Sequence, residues 1–268
     1  PRESPSEAPV DITSPPTQSR DSLLQELRSI FGQEITIKIK SHKSPLSMAY
    51  KWILEQDEYS KSNPDGATVQ RFVLAAFYFA TGGGRTKTTW HLCGAVPESS
   101  QEGKRNTDSP IRCVFEGNES VCAFMDEFLE CPEYYRHWKA PPAQTKKRWL
   151  SKSRECDWYG VSCNDDGEVY EIALPNNRLQ GILIPEITGL EKLTHISLDN
   201  NSIGGPLPSL YHLDIYELSL ALNNMVGVLI LSDQWPNLER LNLSDGNNIN
   251  INISPRFGSI AKLRNLDL

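Results

Sequence analysis

The second half of the chain carries a pattern of apolar and polar positions that repeats with a nearly constant period. In each unit, two apolar residues one position apart are followed by an asparagine, another apolar residue and a glycine. The first three units are Ile172-x-Leu174-x-x-Asn177-x-Leu179-x-Gly181, Ile196-x-Leu198-x-x-Asn201-x-Ile203-x-Gly205 and Leu218-x-Leu220-x-x-Asn223-x-Met225-x-Gly227. A fourth unit starts at Leu241-x-Leu243 and reaches Asn247 and Ile249 after one inserted residue, and Leu266-x-Leu268 opens a fifth. The numbers of the four asparagines differ by 24, 22 and 24, a period typical of leucine-rich repeats.

This period predicts a stack of coils in which each apolar pair lies on a short strand and points inward. We expect an α/β leucine-rich-repeat solenoid over residues 169–268, with parallel β-strands on its concave face and a right-handed path. The asparagine side chains should satisfy backbone groups between coils, because an unpaired buried polar group costs about 1–3 kcal/mol. The glycines should allow the turn that leaves each strand. Since the unit at Leu266 is not completed, we expect four to five repeats, truncated at the C-terminal end.

The first half of the chain has a different pattern and predicts a mainly helical capping region. Residues 1–20 are rich in Pro, Ser, Thr and Glu, which favours a disordered stalk or linker. Residues 21–148 are interpreted as a mainly helical region that contains disulfides, and residues 149–168 as a cap on the first coil. Apolar periodicity predicts helices over 22–31, 45–55 and 68–81. Three isoleucines alternate with Thr and Lys over 35–40 and predict a short strand or extended segment.

Charge, apolar runs, cysteines and sequons together exclude some classes of protein and favour others. The net charge of −7 and the pI of about 5.3 argue against a nucleic-acid surface, which needs a basic stripe. No apolar stretch reaches the ~20 residues that a membrane-spanning helix needs, so any signal or anchor is expected outside the numbered chain. The six cysteines predict disulfides in an oxidising compartment. Four N-x-S/T sequons, which fit a secreted glycoprotein, occur at Asn118, Asn200, Asn242 and Asn252.

The segment before the repeats carries a cap motif, Cys156-Asp157-Trp158-Tyr159-Gly160-Val161-Ser162-Cys163, preceded by Trp149-Leu150-Ser151. A bridge between Cys156 and Cys163 would close a short loop over the apolar end of the first coil. The four remaining cysteines allow three pairings. Local closure favours Cys93 with Cys113 and Cys122 with Cys131.

This cap and the repeats closely resemble those of plant leucine-rich-repeat receptors. The helical sequence over 70–83, the Ser44-Pro45 to Leu54 segment and the later tryptophans also resemble diatom-type algal leucine-rich-repeat proteins of the cell surface. The resemblance covers roughly residues 44–268. Some members of that group carry a membrane span before a Pro/Ser/Thr-rich stalk, so the resemblance implies that residues 1–20 belong to a juxtamembrane stalk.

The resemblance implies a receptor-like signalling module at the cell surface or outside the cell, binding a protein, peptide or glycan partner and no nucleic acid. Two alternatives stay open at this point: a secreted inhibitor of a cell-wall-degrading hydrolase, and a structural adhesion protein. No histidine pair has zinc-site spacing, and no nucleophile elbow or kinase motif occurs, so the sequence predicts no enzyme, metal or cofactor site.

The concave face supplies the candidate binding residues, because solenoids commonly use that surface for recognition. Residues before, between and after the inward-pointing pairs should form columns across the strands. The candidates are Glu171, Ala173, His195, Ser197, Asp199, Glu217, Ser219, Arg240 and Asn242. A glycan on Asn242 would obstruct part of this face.

Overall fold

The computed structural model describes residues 20–63, 68–83, 90, 148–231, 235–255 and 260–268. Five helices come first and pack against one end of a solenoid built from two β-sheets. The helices are α1 (Arg20–Phe31), α2 (Ile35–Lys40), α3 (Pro45–Glu55), α4 (Glu58–Ser62) and α5 (Thr68–Ala80). A single hydrophobic core runs from these helices into the coils. The expected solenoid with a helical N-terminal region is therefore confirmed.

The helix predicted over 45–55 is confirmed as α3, and its start has a clear local cause. Ser44 is the N-cap residue: its hydroxyl accepts a hydrogen bond from the Ser47 amide at 3.0 Å, and Pro45 occupies the first helical position. Helix α5 confirms the prediction over 68–81 to within one residue. Nearly all of α5 is buried, because it lies between α3 and the first coil.

The extended segment predicted at residues 35–40 is wrong, since this stretch forms helix α2. Ile35 and Ile39 are one helical turn apart and both are buried, whereas Ile37 is 73% exposed. A strand would have placed all three isoleucines on one face. The helix buries two of them and lets Lys38 reach Glu186 at 2.8 Å, which contributes to docking α2 on the first coil.

Two parallel sheets form the body of the solenoid. The first sheet has the order β1-β2-β4-β6-β8-β10, and the second has the order β3-β5-β7-β9. Only β1 and β2 pair antiparallel; the other pairs in the described residues are parallel. The strands are β1 (Val161–Cys163), β2 (Val169–Ala173), β3 (Gln180–Ile182), β4 (His195–Ser197), β5 (Ser202–Pro206), β6 (Glu217–Ser219), β7 (Asn224–Leu231), β8 (Arg240–Asn242), β9 (Asn248–Ile253) and β10 (Asn265–Asp267).

The apolar residues of the repeat stack in register at the centre of the coils. The central residues of β2, β4, β6, β8 and β10 form one column, which consists of Ile172, Ile196, Leu218, Leu241 and Leu266. The first four are buried, while Leu266, which ends the column, is 41% exposed. Each coil thus buries the apolar face of the one before it, as a solenoid requires.

The repeat asparagines connect successive coils by hydrogen bonds, as the sequence predicts. The Asn223 amide oxygen accepts from the Ile203 backbone N–H at 3.0 Å, and its nitrogen donates to the carbonyls of Leu198 at 2.9 Å and Leu220 at 3.1 Å. Asn201 and Asn247 make the same kind of contacts in their own coils. These side chains satisfy buried backbone groups that water does not reach.

A buried arginine joins the helical region to the cap of the first coil. Arg71, on α5, pairs through Nη2 with the Asp57 carboxylate at 2.6 Å and through Nη1 with the Glu155 carboxylate at 3.0 Å. Its guanidinium also lies 4.7 Å from the ring centre of Tyr59 and 4.8 Å from that of Trp158. Because its partners come from α4, the residue before α4 and the cap, this ion-pair cluster fixes the helices against the cap.

The end of α5 also serves as the first edge of the second sheet. The Gln180 amide of β3 donates to the Thr81 carbonyl at 2.9 Å, and the Val169 amide at the start of β2 donates to the Gln70 side chain at 2.7 Å. Gly181 has a φ of 127°, and a Cβ there would lie 2.0 Å from the Ala80 carbonyl oxygen. Only glycine therefore permits this approach.

The disulfide predicted between Cys156 and Cys163 is present. It closes the loop that carries Trp158, which packs at 5.4 Å from the Trp149 ring. The Trp149 indole N–H donates to the Tyr159 carbonyl at 2.8 Å. The bridge and the two rings together cover the apolar end of the first coil. Cys93, Cys113, Cys122 and Cys131 lie outside the described residues, so their pairing stays a prediction.

Replacing both Cys156 and Cys163 by serine is expected to lower the free energy of unfolding by about 2–3 kcal/mol, since the unfolded chain regains the freedom that the closed loop removes. Urea denaturation followed by circular dichroism measures the change. The exposed Asp166, in the turn between β1 and β2 just after the closed loop, provides the control variant Asp166→Ser, for which we expect a change within about 0.5 kcal/mol. Equal midpoints for the bridge variant and the control would contradict this role of the disulfide.

Candidate ligand-binding surface

A column of ionisable side chains crosses the first sheet. Glu171, His195, Glu217 and Arg240 are direct neighbours in the strand register, as the sequence predicts, and Asn265 continues the column. Adjacent strands lie about 4.8 Å apart, so neighbouring side chains of the column are within reach of one ligand. The first three side chains are half-buried and Arg240 is exposed. We call these four residues the charged column.

Neighbouring groups hold the charged column in place. The Ser162 hydroxyl donates to the Glu171 carboxylate at 2.7 Å, and Arg240 pairs with the Glu217 carboxylate at 3.3 Å. The His195 ring nitrogen Nδ1 lies 2.7 Å from the Thr194 hydroxyl. The side chains are therefore oriented before any ligand arrives, which reduces the entropy lost on binding.

Two tyrosines line one side of the column, and sequence reasoning missed them. The Tyr216 ring stacks on the His195 ring, with 6.0 Å between centres and planes 7° apart. The Tyr170 ring meets the same imidazole edge-on at 6.2 Å. Each tyrosine comes one position before a residue of the charged column, so the repeat register could have identified both tyrosines. We call Tyr170, His195 and Tyr216 the aromatic edge.

Partial burial alters the ionisation of two column residues. Burial lowers the pKa of the His195 imidazole below its usual value, and the nearby Glu171 carboxylate opposes this shift. Burial raises the pKa of the Glu217 carboxyl group, while Arg240 acts in the opposite direction. Because both shifts originate in desolvation, a ligand charge placed here is screened less than on an open surface.

The second predicted column lies deeper than the first. Ala173, Ser197 and Ser219 are buried, and Asn242 is half-buried. Asp199 is also fully buried. Its carboxylate accepts hydrogen bonds from the Ser219 hydroxyl at 2.6 Å, the Ala221 amide at 2.9 Å and the Ser197 hydroxyl at 3.0 Å. These residues form a rigid base beneath the charged column, so the accessible part of the predicted surface is the column itself with Asn242.

Three of the four predicted glycosylation sequons lie in described parts of the chain, and Asn118 does not. Asn200 occupies a turn with a φ of 51°, and its side chain donates to the Asn176 side chain. Asn242 lies on β8, and its amide oxygen accepts from the Ser244 amide at 3.1 Å and the Ser244 hydroxyl at 2.8 Å. Asn252 is exposed on β9.

Within the described ranges, no three or more His, Cys, Asp or Glu side chains are arranged to hold a metal ion. Each helix of the same ranges is too short or too polar to cross a lipid bilayer.

Sequence comparison finds relatives among plant receptor kinases, whereas no family model matches the chain. The receptor-like kinase TMK4 of Arabidopsis thaliana is 34% identical over 94 residues, which cover 35% of this chain and 10% of the relative. A probable inactive leucine-rich repeat receptor-like protein kinase of the same plant is 49% identical over 55 residues, 20% of this chain and 8% of the relative. The chain thus matches a tenth or less of the length of these relatives.

Among solved structures, the BIR3–SERK2 complex from Arabidopsis thaliana contains a chain with 26% identity and a TM-score of 0.40. The match covers 44% of this chain and 65% of that chain. The architecture described above is that of a leucine-rich-repeat solenoid. The relatives that the sequence matches over these segments are plant receptor-like kinases.

Proposed function

We propose that the chain is a recognition module of a receptor-like protein at the cell surface or outside the cell, and that it binds a protein or peptide. The observation that carries this proposal is the charged column, which is in register over four coils and oriented by its neighbours. The aromatic edge adds rigid rings, which contribute strongly to binding at protein interfaces. The similarity to receptor-like kinases and the disulfide-closed cap support the extracellular location.

The proposal also covers the relationship to algal proteins, the role of residues 1–20 and a second class of ligand. The resemblance of residues 44–83 to diatom-type proteins supports a closer relationship to algal leucine-rich-repeat proteins of the cell surface. The Pro/Ser-rich composition of residues 1–20 supports a stalk that connects to a membrane anchor outside the numbered chain. A glycan is a further ligand class, because stacked rings beside carboxylates suit sugar rings as well as peptides.

A displayed library of random linear peptides, panned against the immobilised chain, tests the binding role. The double variant Glu217→Ala/Arg240→Ala removes both members of an ion pair and so leaves neither charge unpaired. Its stability should therefore change by no more than about 1 kcal/mol. We expect the recovered peptides to bind this variant about tenfold or more weakly than the parent, measured by calorimetry.

The control for this experiment is Asn250→Ala, because Asn250 is exposed on the second sheet, away from the charged column. Its affinity for the same peptides should equal that of the parent. Peptides that bind the double variant and the parent equally well would contradict recognition by the charged column. A glycan array probed with the same three proteins distinguishes sugar ligands from peptides.

A further inference from the structure

The second sheet exposes an apolar face on its outer side. Strand β7 alternates between buried and exposed residues, and Val226, Val228 and Ile230 point outward with 44%, 62% and 50% of their surfaces exposed. Tyr211 lies at the end of this face, where its hydroxyl donates to the Ile230 carbonyl at 3.4 Å. Three neighbouring apolar side chains on one face of a strand favour a covering group, because their contact with water is unfavourable. We call Val226, Val228 and Ile230 the outer apolar face.

Strand β9 places asparagines beside this face. Its register with β7 sets Asn248 beside Val226, Asn250 beside Val228 and Asn252 beside Ile230. Cβ atoms of adjacent strands on one face are about 5 Å apart. Asn252 is exposed, and Asn252-Ile253-Ser254 is an N-glycosylation sequon. The first sugar of a glycan attached to Asn252 therefore lies next to Ile230.

The other two described sequons occupy different surroundings. Asn200 lies in a left-handed turn and its side chain is engaged with that of Asn176. Asn242 lies on a strand flanked on both sides, and its amide oxygen binds Ser244. Asn252 combines an exposed position with an apolar surface that a glycan can cover.

We propose that Asn252 carries an N-linked glycan and that the first sugars of this glycan cover Val228 and Ile230. The proposal rests on the extracellular location given above. In the attachment step, the Asn252 amide nitrogen forms a bond to the anomeric carbon of a lipid-linked oligosaccharyl diphosphate. The bond from that carbon to the diphosphate oxygen breaks, the lipid diphosphate leaves with the electron pair, and the amide loses one proton. The apolar faces of the sugar rings then replace water over the two side chains.

Site occupancy is tested on the chain secreted from eukaryotic cells behind a supplied signal sequence, so that entry into the secretory pathway is not the variable. Cleavage before Asp245 separates the Asn242 sequon from the Asn252 sequon. Peptide-N-glycosidase in ¹⁸O-water then labels each occupied asparagine for mass spectrometry. We expect the label at Asn252 in the parent and in the matched variant Asn250→Gln, and its loss in Ser254→Ala.

An unlabelled Asn252 in a secreted chain that is glycosylated at Asn200 or Asn242 would overturn the proposal while leaving the extracellular location intact. A secreted chain with no label at any sequon would overturn it as well. Ligand binding at the charged column does not enter this measurement, so the proposed function stands or fails separately.

The covering role is tested with four secreted proteins: the parent, Ser254→Ala, Val228→Thr/Ile230→Thr, and the combination. Binding of the apolar dye ANS reports exposed apolar surface. We expect Ser254→Ala to raise the dye fluorescence at least twofold in the parent background and to leave it unchanged in the threonine background. An equal rise in both backgrounds, or none in the parent, would overturn the covering role.

Trimming the folded, secreted parent with an endoglycosidase gives a second route if Ser254→Ala is poorly secreted, and the same twofold rise is expected. Sedimentation velocity identifies the competing occupant. A glycosylated parent that dimerises, together with a monomeric threonine variant, would show that a second copy of the chain covers the face and would overturn the proposal.

Discussion

Replacing Arg71 by methionine will lower the free energy of unfolding by about 3–5 kcal/mol, because it leaves the buried carboxylates of Asp57 and Glu155 without their cation. Methionine keeps much of the side-chain volume, so the loss reports the charge and the hydrogen bonds. Urea denaturation, followed both by tryptophan fluorescence and by far-ultraviolet circular dichroism, measures the change. We also expect the two signals to separate, since Arg71 joins the helices to the cap of the first coil.

The control is Lys152→Met. Lys152 pairs with Glu58 at 2.7 Å and bridges the same two parts of the chain, but both side chains are mostly exposed. Exposed pairs contribute about 0–1 kcal/mol, so this variant should unfold close to the parent. If Arg71→Met and Lys152→Met cost the same, the buried cluster does not hold the junction.

Replacing Asn223 by leucine is expected to cost at least about 3 kcal/mol. The substitution removes the acceptor for the Ile203 amide and the donor to the Leu198 and Leu220 carbonyls, and each group left unsatisfied in the interior costs about 1–3 kcal/mol. The added apolar surface of leucine offsets only part of this loss. Thermal and urea unfolding give the overall value, and hydrogen exchange at the Ile203 amide reports the local loss.

The adjacent residue provides a matched control, because Asn224 is exposed at the start of β7. Asn224→Leu changes the same chemistry one position away and should stay within about 0.5 kcal/mol of the parent. Full protection of the Ile203 amide in Asn223→Leu would contradict the assigned role of the repeat asparagine.

The first sheet and its side-chain register followed from the sequence because both depend on one strong period. The pair Leu218 and Leu220, with Asn223 after it, repeats in every coil and allows little choice of register. Helix α3 was equally predictable from the sequence, since Ser44 and Pro45 mark its start.

The parts that sequence reasoning missed depend on tertiary contacts. Alternation at Ile35, Ile37 and Ile39 also fits a helix when neighbouring elements bury two of the three, and α2 packs mainly against α1 and α3. The second sheet was not predicted, although the alternation in β7 and β9 carried a strand signal. Gly227 in β7 also fits the turn position of the repeat, so the repeat pattern alone does not reveal this strand.

The sequence predicted the charged column of the candidate site, but it did not predict how deeply the neighbouring residues are buried. Register placed Glu171, His195 and Glu217 side by side, but it does not reveal that Asp199 is buried beneath them. The aromatic edge was missed because the residue before each strand was not treated as a column of its own.

The hydrogen bond from Gln180 to Thr81 has a consequence for synthesis of the chain. Helix α5 leaves the ribosome about a hundred residues before β3. The Gln70 side chain and the Thr81 carbonyl then offer hydrogen-bond acceptors to the first coil. Every later coil then meets a completed neighbour as it emerges. Assembly of the solenoid can therefore proceed in the same direction as translation. The apolar faces of the coils need not stay exposed until distant segments of the chain are synthesised.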